Sequence, residues 1–120
     1  DLLMHEVSLA RSLLRRVAAT AAAHEARAVR RVRVRVGALS GVDADLLATA
    51  FRHERLADPV CSAAELEVIA EAGIWRCPAC GGTIDAGGPL ACGGCGVAAE
   101  LAQGDALVLE GLDLEVANDV

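Results

Sequence analysis

The sequence predicts an α+β fold: two helices packed on a small three-stranded sheet, with an inserted zinc-ribbon-like tetracysteine domain. Three observations predict it. Two stretches carry apolar residues at helical spacing, and three alternate apolar and polar residues with period two. Four cysteines, Cys77, Cys80, Cys92 and Cys95, fall between the second and third of the alternating stretches.

The first helix is expected from His5 to about His24. Leu9, Leu13 and Val17 recur every four residues beside Ala10, Leu14, Ala18 and Ala21, and Arg11, Ser12, Arg15 and Arg16 fall on the other side. From Val29 to Val36 the period becomes two. Val32, Val34 and Val36 point one way and Arg31, Arg33 and Arg35 the other, which is a half-buried strand. The Arg row reads as a solvated sheet face lying beside Glu and Asp rows on neighbouring strands.

Gly37 to Gly41 ends that strand. Asp43 can cap a second helix through Leu46, Leu47, Ala50, Phe51 and Leu56, which Asp58-Pro59 terminates. Glu65 to Glu71 alternates again, with Leu66, Val68 and Ala70 expected on one face. The last strand runs from Ala106 to Val116. Its apolar face changes parity at Gly111, which implies a bulge or a strand covered on both sides. The two strands flanking the inserted module are expected to pair with each other. The glycines at its edges suggest that the module is free to tilt.

The cysteines form two Cys-x-x-Cys pairs separated by eleven residues, a spacing typical of a tetrathiolate metal site. Two thiolates three residues apart reach one ion when the chain between them turns tightly. Pro78 presets such a turn, Gly81 and Gly96 can take positive φ after each pair, and turn N–H groups can point at the sulfurs. Zinc is the usual occupant. Two disulfides would need an oxidising compartment and would leave Cys61 unpaired, and no apolar signal segment is seen. A thioredoxin-like pair would lead into a helix, which the surrounding glycines do not favour. Iron in a rubredoxin-like site is the main metal alternative. It would suit an aromatic core, and the chain has one Trp, one Phe and no Tyr. The segment from Arg76 to Gly104 is too poor in large apolar residues to bury a core, so bound metal would have to supply its folding energy.

Composition narrows the function classes. At 120 residues the chain is one domain, or a domain plus a small module, and 54% hydrophobic content suffices for a core. All eleven basic residues are Arg, and the net charge is −6. An acidic chain is a poor general binder of nucleic acid, and no aromatic lies between Cys77 and Cys95 to stack a base. No apolar run approaches a membrane span. The expectation is a cytoplasmic protein with no nucleic-acid or membrane partner.

Taken alone, Met4-His5-Glu6 is a weak motif. The order of all the pieces is specific: Met4-His5-Glu6-Val7-Ser8-Leu9-Ala10, then Arg33-Val34-Arg35-Val36-Gly37-Ala38-Leu39-Ser40-Gly41-Val42, then Leu46-Leu47 with Ala50-Phe51, the cysteine pairs, and Gly104-Asp105-Ala106-Leu107. From Met4 to about Val116 the chain closely resembles the hydrogenase-maturation nickel metallochaperones of the HypA/HybF type. The resemblance implies a discontinuous nickel-binding α/β domain at 4–75 plus 104–117 and a zinc-binding domain at 76–103. It implies structural or regulatory Zn(II) on Cys77, Cys80, Cys92 and Cys95, and Ni(II) as cargo at Met4, His5 and Glu6. In the family the nickel donors include the imidazole, backbone amide nitrogens and the terminal amine. Nitrogen donors in one plane suit Ni(II). Asp1, Leu2 and Leu3 precede Met4, where family members begin; if retained, they tie the Met4 amine into a peptide bond and leave His5 as the anchor.

The implied partners are a nickel-handling GTPase of hydrogenase maturation, the large subunit of [NiFe] hydrogenase, and urease maturation proteins for some relatives. Such a protein delivers its ion and catalyses nothing. The competing readings are a zinc-ribbon protein-binding module without nickel delivery and an iron–thiolate electron carrier. His24 and His53 read as structural or solvated, and Cys61 as a small buried hydrophobe.

Overall fold

The structure is a computed structural model and describes residues 2–85 and 87–117, with the side chains of Leu2 and Leu3 left aside. Helix α1 (Leu2–Ala23) leads through His24-Glu25 into strand β1 (Ala26–Gly37). Helix α2 (Ala44–Glu54) and a 3₁₀ turn (Arg55–Ala57) lead to β2 (Glu65–Glu71). Three short strands follow, β3 (Ile74–Arg76), β4 (Thr83–Ile84) and β5 (Glu100–Gln103), before β6 (Leu107–Val116) closes the fold.

The expected combination of two helices, a three-stranded sheet and a tetracysteine module is present. Its strand order corrects one expectation. The strands flanking the module do not pair with each other: β1 lies between them, in the order β2-β1-β6. The α2 crossover explains half of this, because a helix of that length returns the chain parallel to β1, and β2 is parallel to it. The chain comes back from the module antiparallel along the other edge of β1.

Charge and burial both favour β1 at the centre. Val29, Val32, Val34 and Val36 are buried on its core face against Ala10, Leu13, Leu14, Val17 and Ala21 of α1 and Leu47, Ala50 and Phe51 of α2. On its open face Arg31 pairs with Glu67 at 3.7 Å, Arg33 with Asp113 at 3.0 Å, and Arg35 with Glu71 at 3.2 Å and Glu110 at 2.9 Å. A central Arg row thus lies between two acidic rows, as expected.

The α2 N-cap is Asp43, whose Oδ1 accepts from the N–H groups of Asp45 and Leu46 at 3.0 and 3.1 Å. Two side chains depart from expectation. Leu56 is 64% exposed, because α2 tightens into the 3₁₀ turn at Arg55 and the apolar stripe does not continue through it. Ala70 is exposed, because the alternation of β2 fails after Val68 and Ile69 is half-buried instead. The parity change in β6 is a bulge: Arg33 stands opposite Gly111 and Val34 opposite Leu109, which leaves Glu110 as the extra residue.

The junction to the module is closely packed. Gly37 N–H donates to Ala106 O at 2.9 Å, Ala38 N–H to Glu71 O at 2.8 Å, and Leu39 N–H to Gly104 O at 2.8 Å. A Cβ on Gly37 would lie 2.2 Å from Gly104 O, and one on Gly104, whose φ is +99°, would lie 2.6 Å from the Cα of Gly73. These glycines permit backbone contact between the two connections of the module and the end of β1.

Candidate metal centre

The module is built around two turns of one design. In the first, Gly81 N–H donates to Cys77 O at 2.8 Å and Cys77 N–H to Gly82 O at 2.9 Å. In the second, Gly96 N–H donates to Cys92 O at 2.8 Å and Cys92 N–H to Val97 O at 2.8 Å. Gly81 and Gly96 take φ of +76° and +68°, with open space where a Cβ would stand, so the left-handed turn alone asks for glycine. Strand β3 carries the first turn and pairs with both β4 and β5, in the order β4-β3-β5. Trp75, opposite Ile84 and Leu101, gives this small sheet its few large apolar contacts. These three short strands were not legible in the sequence, because two to four residues are too few to establish a period.

The four Sγ atoms all lie within 4.8 Å of one another, and Cys80 Sγ is 3.9 Å from Cys92 Sγ. A tetrahedron of thiolates about 2.3 Å from a central ion has edges of about 3.8 Å, so the cluster fits a single ion of zinc size. Cys77 is buried and Cys92 half-buried, while Cys80 and Cys95 face outward. The backbone N–H groups of Cys95 and Gly94 lower the Cys92 thiol to about 7. Hydrogen bonding to the sulfurs of Cys92, Cys80 and Cys77 keeps the proton on Cys95 and pushes its thiol up to about 12. Sulfurs packed this closely cannot all ionise alone, and a divalent cation held by Cys77, Cys80, Cys92 and Cys95 would supply the missing charge. Cys61 stands apart in the helix–sheet core, fully buried, its thiol raised by burial.

The N-terminal motif lies inside α1. Met4 is 58% exposed, and the His5 side chain is 53% exposed. Glu6 is fully buried on the stripe that continues through Ala10, Leu13 and Val17, a position that its charge does not announce. Its Oε1 lies 3.2 Å from His5 Nδ1, while Oε2 has no partner among the described residues. Met4 therefore stands apart, while His5 and Glu6 touch each other. The effect of Asp1 on the Met4 amine lies outside the described residues. His24 Nδ1 lies 2.9 Å from Thr20 O at the end of α1, and His53 is exposed on α2, so neither is gathered with a second donor.

Leu9 and Leu13 line a groove with Leu107 and Leu109, and Leu107 stands opposite Val36. The start of α1 therefore sits at the end of the sheet from which the module projects. Among the described residues, no helix is long and apolar enough to cross a membrane.

Comparison with known proteins gives a consistent result. The family described as "Hydrogenase/urease nickel incorporation, metallochaperone, hypA" matches residues 4–114. The hydrogenase maturation factor HypA of Helicobacter hepaticus is 36% identical over 78 residues, which is 65% of this chain and 66% of that protein, just under two thirds of its length. The protein of the same name from Wolinella succinogenes is 32% identical over 120 residues, covering 97% of this chain and 99% of its own. The solution structure of the Ni metallochaperone HypA from Helicobacter pylori aligns with a TM-score of 0.74 and 26% identity, over 93% of this chain and 98% of that one. A further solution structure of a HypA protein aligns with a TM-score of 0.80 and 26% identity, over 95% and 98%.

Proposed function

Because the chain belongs to the HypA family of hydrogenase and urease nickel-incorporation metallochaperones, we propose that it carries Ni(II) at Met4-His5-Glu6 and delivers it for maturation of [NiFe] hydrogenase. The sheet and helices form its nickel-handling part. Cys77, Cys80, Cys92 and Cys95 hold a resident Zn(II) that folds the module and catalyses nothing. The observation carrying this reading is the pairing of a compact four-sulfur cluster with a family match that begins at Met4.

The chemistry of the two donor sets supports the division. Zinc has no geometric preference of its own and accepts a tetrahedron of thiolates. Ni(II) with nitrogen donors prefers a plane, and imidazole is a good ligand for it. A permanent site suits the closed cluster. A carried ion needs an accessible donor for ligand exchange, and His5 is half exposed at the start of a helix. The recipients are a nickel-handling GTPase of hydrogenase maturation and the large subunit of the hydrogenase, with urease maturation proteins as further partners. The setting is the cytoplasm.

The test is metal analysis with nickel titration, on the chain beginning at Met4 and on its His5→Ala variant. One tightly held zinc per chain is expected in both. Nickel binding is expected to fall at least tenfold in the variant. Equal nickel affinity in the two proteins would remove the nickel assignment and leave the zinc one standing.

A further inference from the structure

We propose that Glu6 is a positioning residue for the nickel site: buried beneath α1 with one carboxylate oxygen on His5 and the other unpartnered among the described residues, it poises the Met4-His5-Glu6 turn between a helical form that withholds its donors and an open form that takes nickel. The proposal rests on the reading above that nickel binds at this motif.

Three features of the turn carry it. The motif lies within α1, where Met4, His5 and Glu6 start in different directions around the helix and only His5 bends back to touch Glu6. Met4 faces solvent while Glu6 is fully buried, so Met4 and Glu6 cannot meet at one ion, and His5 is held against Glu6 instead. Glu6 lies past the first turn of α1, where helical geometry engages the backbone N–H in the ladder and withholds that nitrogen as a donor. The third feature is the imidazole. Nδ1 is the ring nitrogen near enough to its own backbone to close a chelate with the His5 amide nitrogen, and Nδ1 stands 3.2 Å from Glu6 Oε1. This leaves Nε2 as the outward donor, and a single imidazole is a weak nickel site.

Glu6 also makes the helical form easy to leave. Its Oε2 is buried without a partner among the described residues, and burial of an unpaired carboxylate oxygen works against the closed turn. Opening returns Glu6 to water and frees Nδ1 and the amide together. Closing buries Glu6 again and withdraws both donors, which favours release of the ion to an acceptor. Apparent affinity is then the intrinsic affinity scaled by the open fraction.

Two variants and one exchange measurement test this. Ser8 is exposed and outside the motif. Proline is tolerated at the start of a helix and disfavours helix before it, so Ser8→Pro starts α1 beyond the motif and holds the turn open. Nickel affinity by calorimetry is expected to rise about tenfold or more. Glu6→Leu places an apolar side chain on the buried stripe and is expected to raise Tm while weakening nickel binding about tenfold. In the Ser8→Pro background, where the turn is already open, Glu6→Leu should change nickel affinity little, whereas a ligating Glu6 would lose as much affinity there as in the wild-type chain. In the wild-type chain, nickel loading should speed amide exchange at least tenfold from Val7 to Leu9 and leave Val17 onward unchanged. The proposal is overturned if Ser8→Pro binds nickel no better than wild type, or if those amides stay protected on loading. Failure of the underlying nickel reading looks different: His5→Ala would bind as well as wild type, and no residue from Met4 to Leu9 would respond to nickel in any variant.

Discussion

Single side chains divide into those that build the core and those that satisfy the open face. Phe51 is fully buried between the helices and the sheet, and Phe51→Ala should cost about 3–5 kcal/mol, read as the urea midpoint of unfolding. Asp113 illustrates the open face. Its two carboxylate oxygens each accept from Arg33 at 3.0 Å, and this guanidinium holds the carboxyl below its ordinary range. A carboxylate more acidic in the folded than in the unfolded chain stabilises the fold above its unfolded pKa of about 3.9, and that contribution is lost as pH falls through the lower folded value. Asp113→Asn should therefore flatten the acid limb of Tm against pH below about pH 4 and lower Tm slightly at neutrality. An unchanged acid limb would show that the pair contributes nothing. Cys61 and the four module cysteines should separate by reactivity. After chelation of the metal, a thiol reagent should modify Cys77, Cys80, Cys92 and Cys95 in the native protein, and Cys61 only in denaturant, since it is 0% exposed and its thiol is raised.

At the level of elements, legibility in the sequence followed length and period. Helix α1 and strand β1 carry clear periods and appear close to where they were expected. The parity change in β6 was readable as a bulge because ten residues suffice to show the shift. Gly111 there lies against the guanidinium of Arg33, with a built Cβ 3.2 Å from Nη2. Gly111→Ala should thus displace only a flexible side-chain end, at a cost under about 1 kcal/mol. Strand partners were not legible, because which strand takes the centre depends on the α2 crossover and on two acidic rows far apart in the chain. The four cysteines were fully legible from their spacing. Glu6 was not: a charged residue on an apolar stripe looks like a helix-start preference until its burial is seen. The module's two matched turns also yield a prediction. With structural zinc contributing on the order of 10 kcal/mol to folding, Cys77→Ser should release the ion and unfold β3 to β5, while α1, β1 and α2 keep their amide protection. Loss of protection throughout the chain would contradict a module folded by its own ion.

Across the whole molecule, the arrangement is extended, with a radius of gyration of 18.4 Å against about 14 Å for a compact chain of this length. The helix–sheet part and the cysteine module meet where β1 ends and the module's two connections lie against each other. Backbone contact at Gly37, Gly73 and Gly104 sets that junction. Gly104→Ala adds a Cβ 2.6 Å from the backbone of Gly73 at a φ of +99°, and should cost roughly 2–4 kcal/mol from strain and overlap together. Its zinc content should stay at one per chain, since no cysteine moves. The central claim is that sulfur holds the resident ion and nitrogen the carried one. X-ray absorption on protein loaded with both metals tests it directly. The zinc edge should show four sulfurs at about 2.3 Å, and the nickel edge should show nitrogen and oxygen neighbours with imidazole scattering and no thiolate. Nickel found among the cysteine sulfurs, with zinc on nitrogen, would contradict the account.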